Sequence, residues 1–244
     1  MSAPARRCVV LVPYATHIEP ACDRGLRVLE QRGLEVRRYA STAAVDRTRC
    51  DAACAALRDG FDELMWIDSD IQFDPDDVTR LRAYDLPIIG GLYPKKGVQD
   101  LAVHLEPGTA ELAMGTTGGL CDVRYVGAGF LLIQRMVYED VQRTFALPTC
   151  NTRFGAATVP YYLPMVIADT GGYWYLGEDY AFCERARKAG HRITVDTTIR
   201  LGHIGAYTYG WEDAGQTIPR VTSATFRLAS GAPLAPTSAE PTEK

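Results

Sequence analysis

The chain has 244 residues, of which 47% are hydrophobic and 23% charged, the balance of an ordinary globular protein and enough for one large α/β domain. A formal net charge of −4 argues against a nucleic-acid surface, which needs a basic stripe. No apolar run approaches the roughly 18 residues of a membrane span.

The N-terminal stretch MSAPARRCVVLVP has two arginines before its apolar run, but the run stops at Pro13 and is too short for a signal-peptide core. It reads as a first buried strand over residues 7–13. The seven cysteines are odd in number and scattered without a CxxC pair, so they read as reduced thiols in a cytoplasmic protein.

The spacing of Ala21, Leu26, Val28 and Leu29 predicts a helix over 19–32, stopped by Gly33. LEVRRYA (34–40) alternates like a strand. Cys50, Ala53, Cys54 and Leu57 mark one face of a second helix over 46–59, closed by Gly60. ELMWID is a third strand. Asp74 as N-cap and Pro75 at the first helical position then start a helix at DPDDVTRLRAY, and LPIIGGLYP is another buried strand. This alternation is the pattern of a Rossmann-like, doubly wound, mostly parallel sheet, in which ligands sit at the carboxyl ends of the strands.

Residues 97–126 alternate weakly and suggest short, partly antiparallel strands. YVGAGFLLIQRMVYEDVQRTF reads as a strand, a tight Gly-rich turn and a helix from about Arg135. Residues 148–175 are rich in Pro, Gly and aromatics without clear periodicity, a long loop of the kind that covers sites. GEDYAFCERARKAG is a helix ended by Gly190, and HRITVDTTIRLGH returns as a strand. One domain is expected over 1–228, with a disordered tail over 229–244, where Ala, Pro, Ser, Thr and Glu dominate.

Three places carry candidate chemistry. Asp68-Ser69-Asp70 ends the third strand, and if the chain stays extended both carboxylates point one way. The pair suits a hard divalent cation, Mg2+ or Mn2+. It is equally a solvated acidic turn, continued by Asp74, Asp76 and Asp77. Glu178 and Asp179 follow Gly177 at a helix start, where the macrodipole favours acids for structural reasons alone. The same dipole would keep a carboxylate ionised, as a general base requires. His203 lies between Gly202 and Gly205, which permit close backbone approach; a packed or surface role also fits it.

Taken in order, "DSDIQFDPDDVTRL…LPIIGGLYPKK…YVGAGFLLIQR…GEDYAFCERARKAGHRITVDTTIRLGHIG" resembles the small bacterial and phage-type glycosyltransferases of the GT-A fold, with their DxD motif, over residues 7–210. The resemblance implies a single Rossmann-like sheet with a small antiparallel acceptor-side sheet. It further implies a donor nucleotide diphosphate sugar, a UDP-sugar by preference, and a hydroxyl acceptor.

On that resemblance Asp70 binds the metal with Asp68 near it or the ribose, His203 is the second protein ligand, and Ser69 lies beside the nucleotide. Pro13, Tyr14 and Ala15 cradle the base. Asp179, or Glu178, is the acceptor-side base. Gly127, Gly129 and the aromatic run Tyr173-Trp174-Tyr175 line the sugar and acceptor pockets. Where similar chains carry Ala-Arg-Asn, this one reads Arg47-Thr48-Arg49-Cys50, so either Arg47 or Arg49 reaches the diphosphate, or both are surface cations. Lys95 and Lys96 fit the family, with phosphate binding, acceptor binding and a solvated turn all open.

An inverting transfer is expected. A retaining transferase and a catalytically silent sugar-nucleotide binder are the alternatives. A dehalogenase-type phosphatase wants a nucleophilic Asp near the chain start. A nucleotidyltransferase wants a Gly-rich basic loop after strand one, and PYATHIEPAC is not that.

Overall fold

A computed structural model describes residues 6–41, 44–215, 221–227 and 235–241. In chain order the elements are β1 (Cys8–Tyr14), α1 (Pro20–Gln31), β2 (Glu35–Ala40), α2 (Val45–Arg58), β3 (Glu63–Ile67), β4 (Ile71–Gln72), α3 (Pro75–Ala83) and β5 (Ile88–Gly90). There follow β6 (Val103–Leu105), β7 (Glu111–Gly115), β8 (Leu120–Val126), β9 (Phe130–Gln134), α4 (Arg135–Thr144), β10 (Met165–Asp169) and β11 (Gly172–Leu176). The last are α5 (Glu178–Lys188), β12 (Ile193–Asp196), β13 (Gly202–Ile204), β14 (Thr208–Tyr209), β15 (Val221–Arg227) and β16 (Ala235–Pro241).

Strand alternation sorts the core into two layers. Val9, Leu11, Leu64, Trp66 and Ile133 face α2, α4 and α5. Val10, Val12, Met65, Ile67 and Leu132 face α1 and α3. Both faces of the sheet are therefore buried, which is why the strands read as unbroken apolar runs rather than as alternating ones. Helix starts follow local chemistry: Asp74 accepts the Asp76 N–H at 2.9 Å, with Pro75 in the first turn of α3.

Among the described residues the main sheet has eight strands in the order β2-β1-β3-β9-β5-β12-β8-β6. It is α/β and mostly parallel in strand direction, since only β9 and β8 run against the others. The parallel succession expected from the first half is interrupted, because β9 inserts antiparallel between β3 and β5. Small antiparallel sheets flank it: β10-β11, β14-β13-β4 and β16-β15-β7.

Three further expectations change. The long loop over 148–175 holds the β10-β11 hairpin, with Ile167 opposite Trp174 and a tight turn at Gly171, whose φ is 84°. The strand expected after Gly190 breaks in two. Asp196 Oδ1 accepts the Thr198 N–H at 2.9 Å and its hydroxyl at 2.6 Å, a side-chain-closed turn that delivers β13 to a different sheet. Within the segment expected to be disordered, Ala235–Pro241 pair with β15 as β16. Backbone hydrogen bonding to an open edge asks little of composition, and the rest of that segment lies outside the described residues.

The carboxyl ends of β1, β3 and β5 and the amino end of β9 meet at one edge of the sheet. Pro13 and Tyr14 at the end of β1, Asp68 and Ser69 after β3, and Gly129 before β9 sit at or just beyond that edge.

Candidate active site

β3 ends at Ile67, and a tight turn follows instead of an extended chain. Asp68 N–H donates to Gly129 O at 3.0 Å, and Ile71 N–H closes the turn on Asp68 O at 3.1 Å. The two carboxylates therefore part company, contrary to the expectation of an extended segment. Asp68 turns to Arg49, whose Nη2 donates to Oδ1 at 2.7 Å. Asp70 turns to Lys96, whose Nζ donates to Oδ2 at 2.5 Å, and to His203, whose Nε2 lies 3.6 Å from Oδ1.

β13 carries His203 to this place because it pairs with β4 immediately after the turn. His203 is in register with Ile71, and Ile204 N–H donates to Asp70 O at 2.8 Å. His203 Nδ1 is 2.8 Å from Pro94 O. A carbonyl only accepts, so Nδ1 carries a hydrogen donated to Pro94 O, which fixes the ring with Nε2 towards Asp70. Tyr93 packs edge-on against this ring, with centroids 5.2 Å apart. Burial works against ionising Asp70, but His203 and Lys96 outweigh it and hold the carboxyl down at about 2.

One carboxylate oxygen and one imidazole nitrogen face each other. That pair would suit a hard divalent ion, which takes oxygen ligands such as those of a phosphate. Among the described residues no cluster of three or more His, Cys, Asp and Glu side chains could cage an ion alone.

Arg49 is no surface cation. It is 2% exposed, lies over Trp66 at 5.3 Å, and places Nε 3.6 Å from Glu178 Oε1. Among the described residues its Nε and Nη1 have no hydrogen-bond partner. Burial opposes its charge, and the Asp68 and Glu178 carboxylates more than restore it. Arg49 thus ties the turn after β3 to the first turn of α5. The sequence signal was its spacing with Ala52, Ala53 and Ala56, all buried on the same face of α2.

Asp179 sits in that first turn and accepts the Tyr180 N–H at 2.7 Å. The helix start was expected to keep it ionised. Instead burial first, and the Glu178 carboxylate second, push its carboxyl up to about 6 against the pull of Arg49.

The other candidates fall into place unevenly. Pro13, Tyr14, Ala15, Ser41 and Val45 join Asp68, Ser69 and Asp70 around a hollow of about 260 Å3, so the expected base cradle and the DxD turn share one cavity. Arg47 pairs with Asp51 on the exposed side of α2 at 2.6 Å, away from that hollow. Lys95 braces its own loop through Asp100 at 2.5 Å; Lys96 is the cation that reaches the site. Gly127 and Gly129 line no pocket wall with open space: a Cβ on either would meet the Tyr93 hydroxyl, at 2.3 and 2.7 Å, and their smallness lets Tyr93 pack and receive the Gly129 N–H at 3.0 Å. Trp174 packs inward on His104 and Tyr125, at 4.7 and 5.4 Å, while Tyr173 and Tyr175 are 83% and 68% exposed on the opposite face of the hairpin. Sequence reasoning gave no role to Tyr93 or Pro94, the two residues that set the His203 ring.

No protein-family model matches this sequence, and no curated protein matches it. Among the described residues no helix is long and apolar enough to cross a membrane. The structure of GalNAc-T7 with UDP, GalNAc and Mn2+ gives a TM-score of 0.47 at 11% identity, over 84% of this chain and 45% of that one. UDP-glucose pyrophosphorylase complexed with UDP-glucose gives 0.39 at 8% identity, over 83% and 90%. The crystal structure of A197 from STIV aligns with 82% of this chain and 86% of its own, at 17% identity and a TM-score of 0.53, a likeness of fold.

Proposed function

We propose that this chain is a metal-dependent glycosyltransferase that moves a sugar from a nucleotide diphosphate donor, a UDP-sugar by preference, to a hydroxyl acceptor with inversion. The observation that carries the reading is the meeting of Asp70 and His203, from segments more than a hundred residues apart, at the carboxyl edge of the sheet.

Asp70 and His203 would hold Mn2+ or Mg2+ between them. The ion, when bound, supplies neutralisation of the charge that gathers on the leaving diphosphate. Asp68 is occupied by Arg49 and acts by fixing the turn that aims Asp70. Tyr14, beside Ser41 and Val45 in the 260 Å3 hollow, stacks on the base, and Pro13, Ala15 and Ser69 complete the cradle.

Asp179 takes the acceptor proton. A carboxyl held at about 6 is largely ionised at neutral pH yet basic enough to accept a proton, the compromise a general base needs. Glu178 raises that basicity by its own charge and is in turn held by Arg49. The exposed Tyr173 and Tyr175 border the approach to α5 on the acceptor side.

The test is incubation with a panel of UDP-, GDP-, CDP- and dTDP-sugars and Mn2+, following free nucleoside diphosphate. Release with one base class, abolished by EDTA, supports the reading, and no release from any donor with any acceptor sinks it. Proton NMR of the first product anomer decides inversion: retention removes Asp179 from the role of base.

A further inference from the structure

Lys96 gives a cation to the same carboxylate that the metal reading assigns to the ion. Its Nζ is 2.5 Å from Asp70 Oδ2, the carboxylate whose other oxygen faces His203. The residue is not an incidental surface cation reaching inward. Its stem runs over Gly205, where a Cβ would stand 3.2 Å from Lys96 Cδ, beside the Tyr209 ring. A Cβ at 205 would press tightly on that stem.

The loop that carries Lys96 is braced at its base. Pro94 bridges Leu101, Lys95 N–H donates to Asp100 O at 2.8 Å, and Ala102 N–H donates to Tyr93 O at 2.9 Å. Lys95 adds its own ion pair to Asp100. The same loop fixes the His203 ring through Pro94 O. One short segment therefore orients the imidazole and neutralises the carboxylate of the same pair.

We infer that Lys96 is a built-in counter-cation to the Asp70 carboxylate which competes with a lone divalent ion and turns to the diphosphate when nucleotide and ion arrive together. This rests on the metal-dependent reading above. Its physical basis is charge balance. Among the described residues, the cation against the Asp70 carboxylate is Lys96, with the His203 ring beside it. A divalent ion entering alone displaces one ammonium and leaves it without a partner. A diphosphate entering with the ion gives that ammonium phosphate oxygens within the reach of one lysine side chain. The loop thus discourages an idle ion and rewards the complete donor complex, so ion and diphosphate bind with positive coupling.

The test compares wild type with Lys96→Met, which keeps the stem over Gly205, and with Lys96→Arg, which keeps the charge. Mn2+ alone is titrated by electron paramagnetic resonance, and inorganic pyrophosphate is titrated calorimetrically at saturating Mn2+. Losing a charge-assisted hydrogen bond of this kind shifts affinity by roughly tenfold. Lys96→Met is expected to bind Mn2+ alone about tenfold more tightly and pyrophosphate about tenfold more weakly, with Lys96→Arg near wild type in both. Opposite signs for two ligands are not produced by a damaged fold, which weakens both. Mn2+ affinity that is unchanged or weaker in Lys96→Met overturns the inference while leaving the metal reading in place. No Mn2+ binding by any of the three proteins, with or without pyrophosphate, overturns the metal reading and the inference with it.

Discussion

Arg49→Met removes the buried guanidinium but keeps an apolar stem over Trp66. Asp68 and Glu178 then face each other's surroundings without a counter-charge. Removing one partner of a buried ion pair costs about 3–5 kcal/mol. Here the Asp68 and Glu178 side chains retain 28% and 21% exposure, so water recovers part of the loss and the lower end, about 3 kcal/mol, is expected. In a chain of this size that lowers Tm by roughly 6–12 °C. Adding Asp68→Asn to Arg49→Met removes one stranded charge and should return about 1 kcal/mol or more. The substitution also withdraws the cation that restrains Asp179, so the acid limb of kcat/KM should move to higher pH. Thermal melts of the single and double variants and a pH–rate profile test both parts. A loss below about 1 kcal/mol, or an acid limb that stays where it was, refutes the view of Arg49 as the shared counter-charge of the two carboxylate segments.

In the wild type, kcat/KM should fall as pH drops through about 6, because a protonated Asp179 cannot accept the acceptor's proton; a profile flat across that range contradicts the assignment. Asp179→Asn should lower kcat by about 10²–10⁴-fold with a smaller effect on donor KM, and an equal loss in binding would make the residue a positioning group instead. Gly129→Ala places a Cβ 2.7 Å from the Tyr93 hydroxyl and should cost about 1–3 kcal/mol by overpacking; an unchanged Tm would mean Tyr93 is free to move. Tyr138→Phe strips the partner from the Trp66 indole N–H, 2.8 Å away, and from Tyr162. It should lower the urea midpoint by the equivalent of about 1–3 kcal/mol at constant m, and a larger change in m would point to an altered denatured state.

The order of strands and helices in the first half was legible because period-2 and period-3.6 apolar patterns are local. The place of β9 was not, since a strand buried on both faces looks alike whether it runs with or against its neighbours. The β10-β11 hairpin did leave a signal, the strand-favouring aromatic run Tyr173-Trp174-Tyr175 after Gly171-Gly172, but the surrounding Pro and Gly masked it. The carboxylates after β3 were found, while their divergence was not, because it depends on Asp68 N–H reaching Gly129 O sixty residues away. Choosing Lys96 over Lys95 needed the register of a loop closed by Asp100, and the high carboxyl of Asp179 needed the packing around α5. Choosing Arg49 over Arg47 was possible from the helix face it shares with Ala52, Ala53 and Ala56.

The central claim is that Asp70 and His203 grip one divalent ion. Equilibrium dialysis of Mn2+ in the presence of UDP, with wild type, Asp70→Asn and His203→Ala compared at equal folded concentration, tests it most directly. The account predicts a single Mn2+ per wild-type chain and loss of that ion in both variants. Full retention of the ion in both variants, or no bound ion in the wild type, would contradict it.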